Sequence, residues 1–132
     1  MSEMNAAEMA KRQPFFYDVT LRDGNQALPK PWNNAQKKDV YLQLLKLGVQ
    51  GAEVGFPASS EMDFESCKEL AQLTAKMAEE GDEVAQKVVV SGLARCVESD
   101  IQRCWEAVQY DPTPVFTHSS LPASSPWSMC CT

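Results

Sequence analysis

Arg22 and Asp23 stand side by side where an apolar, β-branched stretch of the chain stops, in the segment YDVTLRDGNQALPKPWNNAQ (Tyr17–Gln36). The two types complement each other chemically. A carboxylate is a hard oxygen ligand for a divalent cation, and a guanidinium is a permanent cation whose planar fork can hold a carboxylate or steady a developing enolate oxygen. Gly24 follows at once and would let the backbone turn sharply beside them. An ordinary ion pair in a surface turn uses the same three residues, so the elements that carry them decide between the two readings.

Those elements repeat. FFYDVTL (Phe15–Leu21) is aromatic and β-branched and predicts a strand; Ala35–Leu47 then sets Val40, Leu44 and Leu47 on one helical face, with Gly48 as its stop. GAEVGF (Gly51–Phe56) predicts a second strand. After PASS, a helix is expected from about Glu61, with Ser60 and Asp63 placed as a capping pair and Phe64, Cys67, Ala71 and Thr74 on one face. KVVVSGLA (Lys87–Ala94) has the continuous apolar character of a strand covered on both faces. Its helix is expected after Ser99, with Gln102 as capping partner and Ile101, Cys104, Trp105 and Val108 at helical spacing.

Strand, loop and helix in repeated alternation predict an α/β protein with a parallel sheet and outer helices. Periodicity alone does not separate an open doubly wound sheet from a (β/α)8 barrel. The single glycine of RDGNQA disfavours a dinucleotide fingerprint. In both architectures the carboxyl ends of the strands carry the chemistry, which places Arg22 and Asp23 on the functional rim.

Charge and composition narrow the partners. A net charge of −6 over 132 residues argues against nucleic acid, and no apolar run is long enough to predict a membrane span. The N-terminus lacks the pattern of a secretory signal, so a cytoplasmic location is expected. The five cysteines include no CxxC pair, and most of them read as reduced thiols of no chemical role. Glu53 ends a strand and could bear on the site, although pairing with an arginine of the neighbouring strand is the favoured reading. Phe15, Phe16 and Trp105 are expected in the core, Glu79–Glu83 as a solvated loop, and His118, the sole histidine, as an exposed loop residue.

Three ordered segments, TLRDGNQAL, LLKLGVQGAEVGFPASSEMDFE and VVVSGLARCVESDIQRCWEAV, resemble the metal-dependent carbon–carbon bond enzymes called DRE-TIM metallolyases. That family includes 2-isopropylmalate, homocitrate and citramalate synthases and 3-hydroxy-3-methylglutaryl-CoA lyase. The matches cover Phe15 to about Pro114, and RDGNQAL with EVGFPASSEMDF looks most like the 2-isopropylmalate synthase branch.

The resemblance implies the N-terminal part of a (β/α)8 barrel, about three βα units, and condensation of acetyl-CoA with a 2-oxo acid, 3-methyl-2-oxobutanoate, at the opening of leucine biosynthesis. It implies Arg22 as catalytic and substrate-binding residue, Gln26 as substrate-binding, and Asp23 as ligand of a divalent cation (Mg, Mn or Zn). Sibling synthases, a lyase or a non-catalytic interaction fragment are the alternatives, and the parent enzyme is expected to be a homodimer. The family's further metal ligands, an HxH pair and an asparagine, and its middle-strand glutamate have no counterpart here, so this chain reads as a fragment without activity of its own. Residues 1–14 read as a disordered arm. Residues 115–132 read as an irregular tail, rich in Ser, Pro and Cys, of the kind a shifted reading frame would produce.

Overall fold

The computed structural model describes residues 14–118. The elements follow in the order β1 (Tyr17–Asp18), a π-helical turn (Thr20–Gly24), α1 (Asn34–Leu47), β2 (Gly51–Glu53), α2 (Glu61–Glu79), β3 (Val89–Ala94), α3 (Glu98–Val108) and β4 (Val115–His118). All neighbouring strands pair in parallel, in the spatial order β1-β2-β3-β4. Strands joined only through helices, all running one way and laid down in sequence order, form an arc of a TIM barrel.

β1 is much shorter than its composition predicts, and Asp18 is the reason. Its carboxylate accepts from the Thr20 N–H at 2.9 Å and the Thr20 hydroxyl at 3.0 Å, which bends the chain out of the sheet. Val19 O then accepts from Arg22, Asp23 and Gly24 N–H at 3.2, 2.8 and 3.3 Å, so the charged residues ride on a tight helical turn instead of a strand end. Formal β2 pairing stops at Glu53, yet its hydrogen bonds to β3 run on, Val54 N–H to Ser91 O and Leu93 N–H to Gly55 O, both 2.9 Å.

α1 starts on a full capping box, with the Asn33 carboxamide accepting from Gln36 N–H and the Gln36 side chain accepting from Asn33 N–H. It ends at Gly48, whose φ of 84° lies in the left-handed region that glycine enters without strain. Ser60 caps α2 through the Asp63 N–H, as its spacing predicts. α3 departs from expectation. It starts at Glu98 after Val97 with no side-chain cap, so Ser99 lies inside the first turn and does not cap it; Asp100 in that turn accepts from Arg95, whose guanidinium meets both carboxylate oxygens at 2.6 and 3.1 Å.

The three helices cover one face of the sheet. Ala52, Val54 and Val90 pack against Tyr41, Leu45, Phe64, Leu70, Ala71 and Val108, and each fully buried aliphatic side chain is worth about 1.5–3 kcal/mol. Two thiols lie in the same layer at close quarters. A Cβ on Gly92 would stand 2.7 Å from Cys104 Sγ, and one on Gly55 2.7 Å from Cys67 Sγ, so glycine at both positions lets a helix approach the sheet. Burial pushes the Cys104 thiol up to about 12 and raises Cys67 well above its ordinary value. Cys67 and Cys104 are free thiols.

Five expectations change at the periphery. Phe15 and Phe16 (61% exposed each) and Trp105 (46%) are not core. Val115–His118, read as irregular, forms an edge strand, for which parallel pairing with β3 and the β-favouring residues Val115, Phe116 and Thr117 suffice. His118 therefore ends a strand and does not sit in a loop. The proposed arm up to residue 13 and the tail beyond residue 118 lie outside the described residues. Glu79–Glu83 is solvated, as its charge predicts.

Asp111, in the turn before β4, is buried, and its Oδ1 has no hydrogen-bond partner among the described residues. Burial raises its carboxyl above the usual range, against the opposing hydrogen bonds from Thr113 and Val90 N–H. A raised folded-state value means that the native protein holds this proton more tightly than the unfolded chain, so the charged form weakens the fold as pH rises through it. Asp111→Asn is accordingly expected to stabilise the protein at neutral pH, with the gain shrinking as pH falls toward the ordinary aspartate value. Urea midpoints at neutral and acidic pH measure it, and a loss of stability at neutral pH would sink the assignment.

Candidate functional site

Parallel register places Tyr17, Glu53, Ser91 and Thr117 on the sheet face that the helices leave uncovered. That face is polar at its carboxyl end. Tyr17 Oη and Ser91 Oγ share a hydrogen bond, and burial, the largest influence, raises the Tyr17 phenol above its ordinary value. Thr117 donates its hydroxyl to Glu53 Oε2.

Glu53 is the centre of the group. Its residue is only 3% exposed, and its other carboxylate oxygen accepts from Arg22 Nε. A buried carboxylate requires such partners, since an isolated charge would be too costly to desolvate. Arg22 reaches it because the helical turn after β1 carries the guanidinium back over β2. The same guanidinium donates from Nη1 to Asp23 Oδ1 at 2.7 Å and has donors to spare beyond these two contacts. Arg22 is thus a fixed cation between a buried and an exposed carboxylate, at the strand ends.

Asp23 is the outward member, its side chain 68% exposed. Gln26 also lies exposed, just beyond the turn. Asn25 between them is buried and structural, its Oδ1 accepting the Trp32 N–H at 2.7 Å and pinning the loop that leads to α1. The structure therefore brings Arg22, Asp23 and Glu53 together and leaves Gln26 at the edge. Thr117 joins the group without any forewarning from the sequence reading, which ended regular structure at Pro114.

The loop after β2 is held separately. Asp63, in the first turn of α2, accepts from Phe56 N–H at 3.0 Å, from Ser59 Oγ at 3.2 Å and from the ammonium of Lys37 on α1. Lys37 is 1% exposed, which makes this a buried ion pair. Arg95, at the end of β3, lies over the Phe56 ring at 5.7 Å.

A divalent cation finds too few ligands in these residues alone. Among the described residues no three His, Cys, Asp or Glu side chains converge, and Glu53 is already engaged by Arg22 and Thr117. Asp23 stands as a single candidate ligand. The arrangement can instead offer a rigidly held guanidinium to an anionic oxygen. Among the described residues, no helix is long and apolar enough to cross a membrane.

Comparison with known proteins extends this picture. The family model described as HMGL-like matches residues 13–124. The 2-isopropylmalate synthase 2 of Leptospira interrogans is 49% identical over 104 residues, covering 79% of this chain and 22% of that protein. The chloroplastic methylthioalkylmalate synthase 1-1 of Eutrema japonicum is 43% identical over 107 residues, covering 79% of this chain and 21% of its own length. The chloroplastic 2-isopropylmalate synthase 2 of Arabidopsis thaliana is 42% identical over 98 residues, covering 74% and 15%. The chain thus spans about a fifth of the length of the curated relatives it matches.

Proposed function

The chain belongs to the HMGL-like family, and from that premise we propose that it supplies the first rim segment of an acyltransferase that condenses acetyl-CoA with a 2-oxo acid. The observation that carries the reading is the fixed guanidinium of Arg22, clamped by Glu53 at the strand ends with a donor surface left over. Condensation develops negative charge on oxygen twice, on the enolate of the thioester and on the alkoxide formed when its carbon attacks the keto carbon. A preorganised cation that need not reorient is the group that such charge calls for.

Glu53 acts here as a positioning residue, holding Arg22 through Nε while itself steadied by Thr117. Gln26 is proposed to touch substrate from the edge. Asp23 is the one ligand proposed among the described residues for a divalent-cation site. Water then cleaves the thioester and releases CoA. The 2-oxo acid proposed first is 3-methyl-2-oxobutanoate, with a longer-chain 2-oxo acid as the second reading, favoured by the 43% identity to a methylthioalkylmalate synthase.

The test is a chimaera in which residues 14–114 replace the matching part of the Leptospira relative. Release of free thiol from acetyl-CoA is expected with 3-methyl-2-oxobutanoate, and a folded chimaera inactive with every 2-oxo acid would overturn the proposal. The metal role is tested on the chain by itself. Calorimetric titration with Mg, Mn or Zn is expected to show weak binding, in the range of about 1 mM or above, that Asp23→Ala abolishes. Tight binding indifferent to Asp23→Ala would remove this residue from the role.

A further inference from the structure

The loop between the Arg22 turn and α1 holds a cavity of about 490 Å³, and every residue lining it lies between Leu28 and Gln36. Its walls thus come from one continuous segment. Leu28, Pro29, Pro31 and Trp32 make it largely apolar, and Lys30 adds a cation. Trp32 packs against the core as well as lining the cavity, and Asn25 Oδ1 accepts its N–H at 2.7 Å, which ties the loop to the turn that carries Arg22 and Asp23. The two prolines fix φ on either side of Lys30, so the wall is formed before any ligand arrives.

Charge at this loop runs against that of the chain. The net charge is −6, yet the segment from Gly24 to Lys38 carries three lysines and no carboxylate side chain. Lys37 is engaged by Asp63, whereas Lys30 is exposed, Lys38 is half-buried, and neither enters an ion pair among the described residues. An aromatic ring in an apolar wall beside unpaired cations complements a ligand that joins a planar base to phosphates. Acetyl-CoA is such a ligand. Its acetyl group and its adenine nucleotide sit at opposite ends of a long flexible arm, so with the acetyl group at Arg22 the nucleotide lies out over a rim loop. We propose that the Leu28–Gln36 cavity seats the nucleotide end of coenzyme A, with the adenine on the Trp32 ring and a phosphate on Lys30. The identity of the occupant rests on the acyl-transfer reading; the cavity and its charge do not.

The probe is adenosine 3′,5′-bisphosphate, a piece of coenzyme A without the pantetheine arm, titrated calorimetrically into the chimaera. Binding is expected, and Lys30→Gln should weaken it about tenfold, the scale of one charge-assisted hydrogen bond. Trp32→Leu should weaken it by a similar factor, whereas Lys76→Gln, an exposed position late in α2, should leave it unchanged. In turnover, Lys30→Gln should raise KM for acetyl-CoA with kcat unaltered, and should leave KM for acetyl-pantetheine, which lacks the nucleotide, where it was. No binding of the bisphosphate, no effect of Lys30→Gln, or an equal loss in Lys76→Gln would each overturn the proposal. A chimaera that binds the bisphosphate through Lys30 yet transfers no acetyl group would instead overturn the acyl-transfer reading and leave the nucleotide seat in place.

Discussion

Replacing Asp63 by alanine is expected to remove about 3–5 kcal/mol of stability, a large part of the 5–15 kcal/mol that holds a domain of this kind together. The reason lies with its partner. Lys37 is 1% exposed, and Asp63 is the carboxylate with which its ammonium pairs. Truncating Asp63 strands a buried charge and also frees the Phe56 N–H, so two polar groups lose their partner together, while the Ser59 hydroxyl keeps the Phe56 carbonyl at 2.7 Å. Lys37→Met should cost less, because Asp63 retains those other donors. Combining Lys37→Met with Asp63→Ala should recover part of the loss, since no buried charge then remains. Urea denaturation of the three variants measures this. The exposed pair Lys76–Glu80, at 3.9 Å with side chains 73% and 65% exposed, provides the contrast, since breaking it should cost under about 1 kcal/mol. An Asp63→Ala cost no greater than that would mean the burial of Lys37 does not decide its energetics.

The second large effect concerns catalysis in the chimaera. Arg22→Gln is expected to lower kcat by about 10²–10³, the scale of losing one preorganised donor to a developing oxyanion, with KM changed much less. Arg22→Lys should fall between the two. It keeps the charge but has neither the planar fork nor an Nε–H in the place where Glu53 is met. Glu53→Gln should also lower kcat, because a neutral amide holds the guanidinium less firmly in place. If Arg22→Gln raised KM alone and left kcat intact, Arg22 would be a binding residue and not the oxyanion's partner.

The alternation of strands and helices was legible because the first two helices carry local signals, the Ser60 cap and the Gly48 stop among them. Charge at the end of β1 likewise announced the rim, and the pairing of Glu53 with a neighbouring arginine followed from its place at a strand end. What escaped depends on contacts distant in sequence. The partner of Lys37 lies 26 residues away, and the polarity of a lysine inside a helical pattern points to solvent and not to Asp63. Ser99 looked placed to cap a helix, whereas α3 begins one residue before it, at Glu98, with no side-chain cap. Phe15, Phe16 and Trp105 have core chemistry but stand on the flanks of the arc, where hydrophobicity alone cannot reveal that they stay exposed among the described residues. β1 was shortened by one aspartate, Asp18, whose local hydrogen bonds outcompete the sheet for the residues that follow.

The thiols sealed under Gly55 and Gly92 have a practical consequence. Cys67 and Cys104 are fully buried and carry raised thiol values, so neither offers a thiolate to a reagent while the helices stay on the sheet. Their alkylation must wait for α2 or α3 to lift away, which makes these two sulfurs built-in clocks of how often the helical layer opens. Peptide mass mapping after timed labelling would read one clock per helix, and unequal rates would show which helix parts from the sheet first.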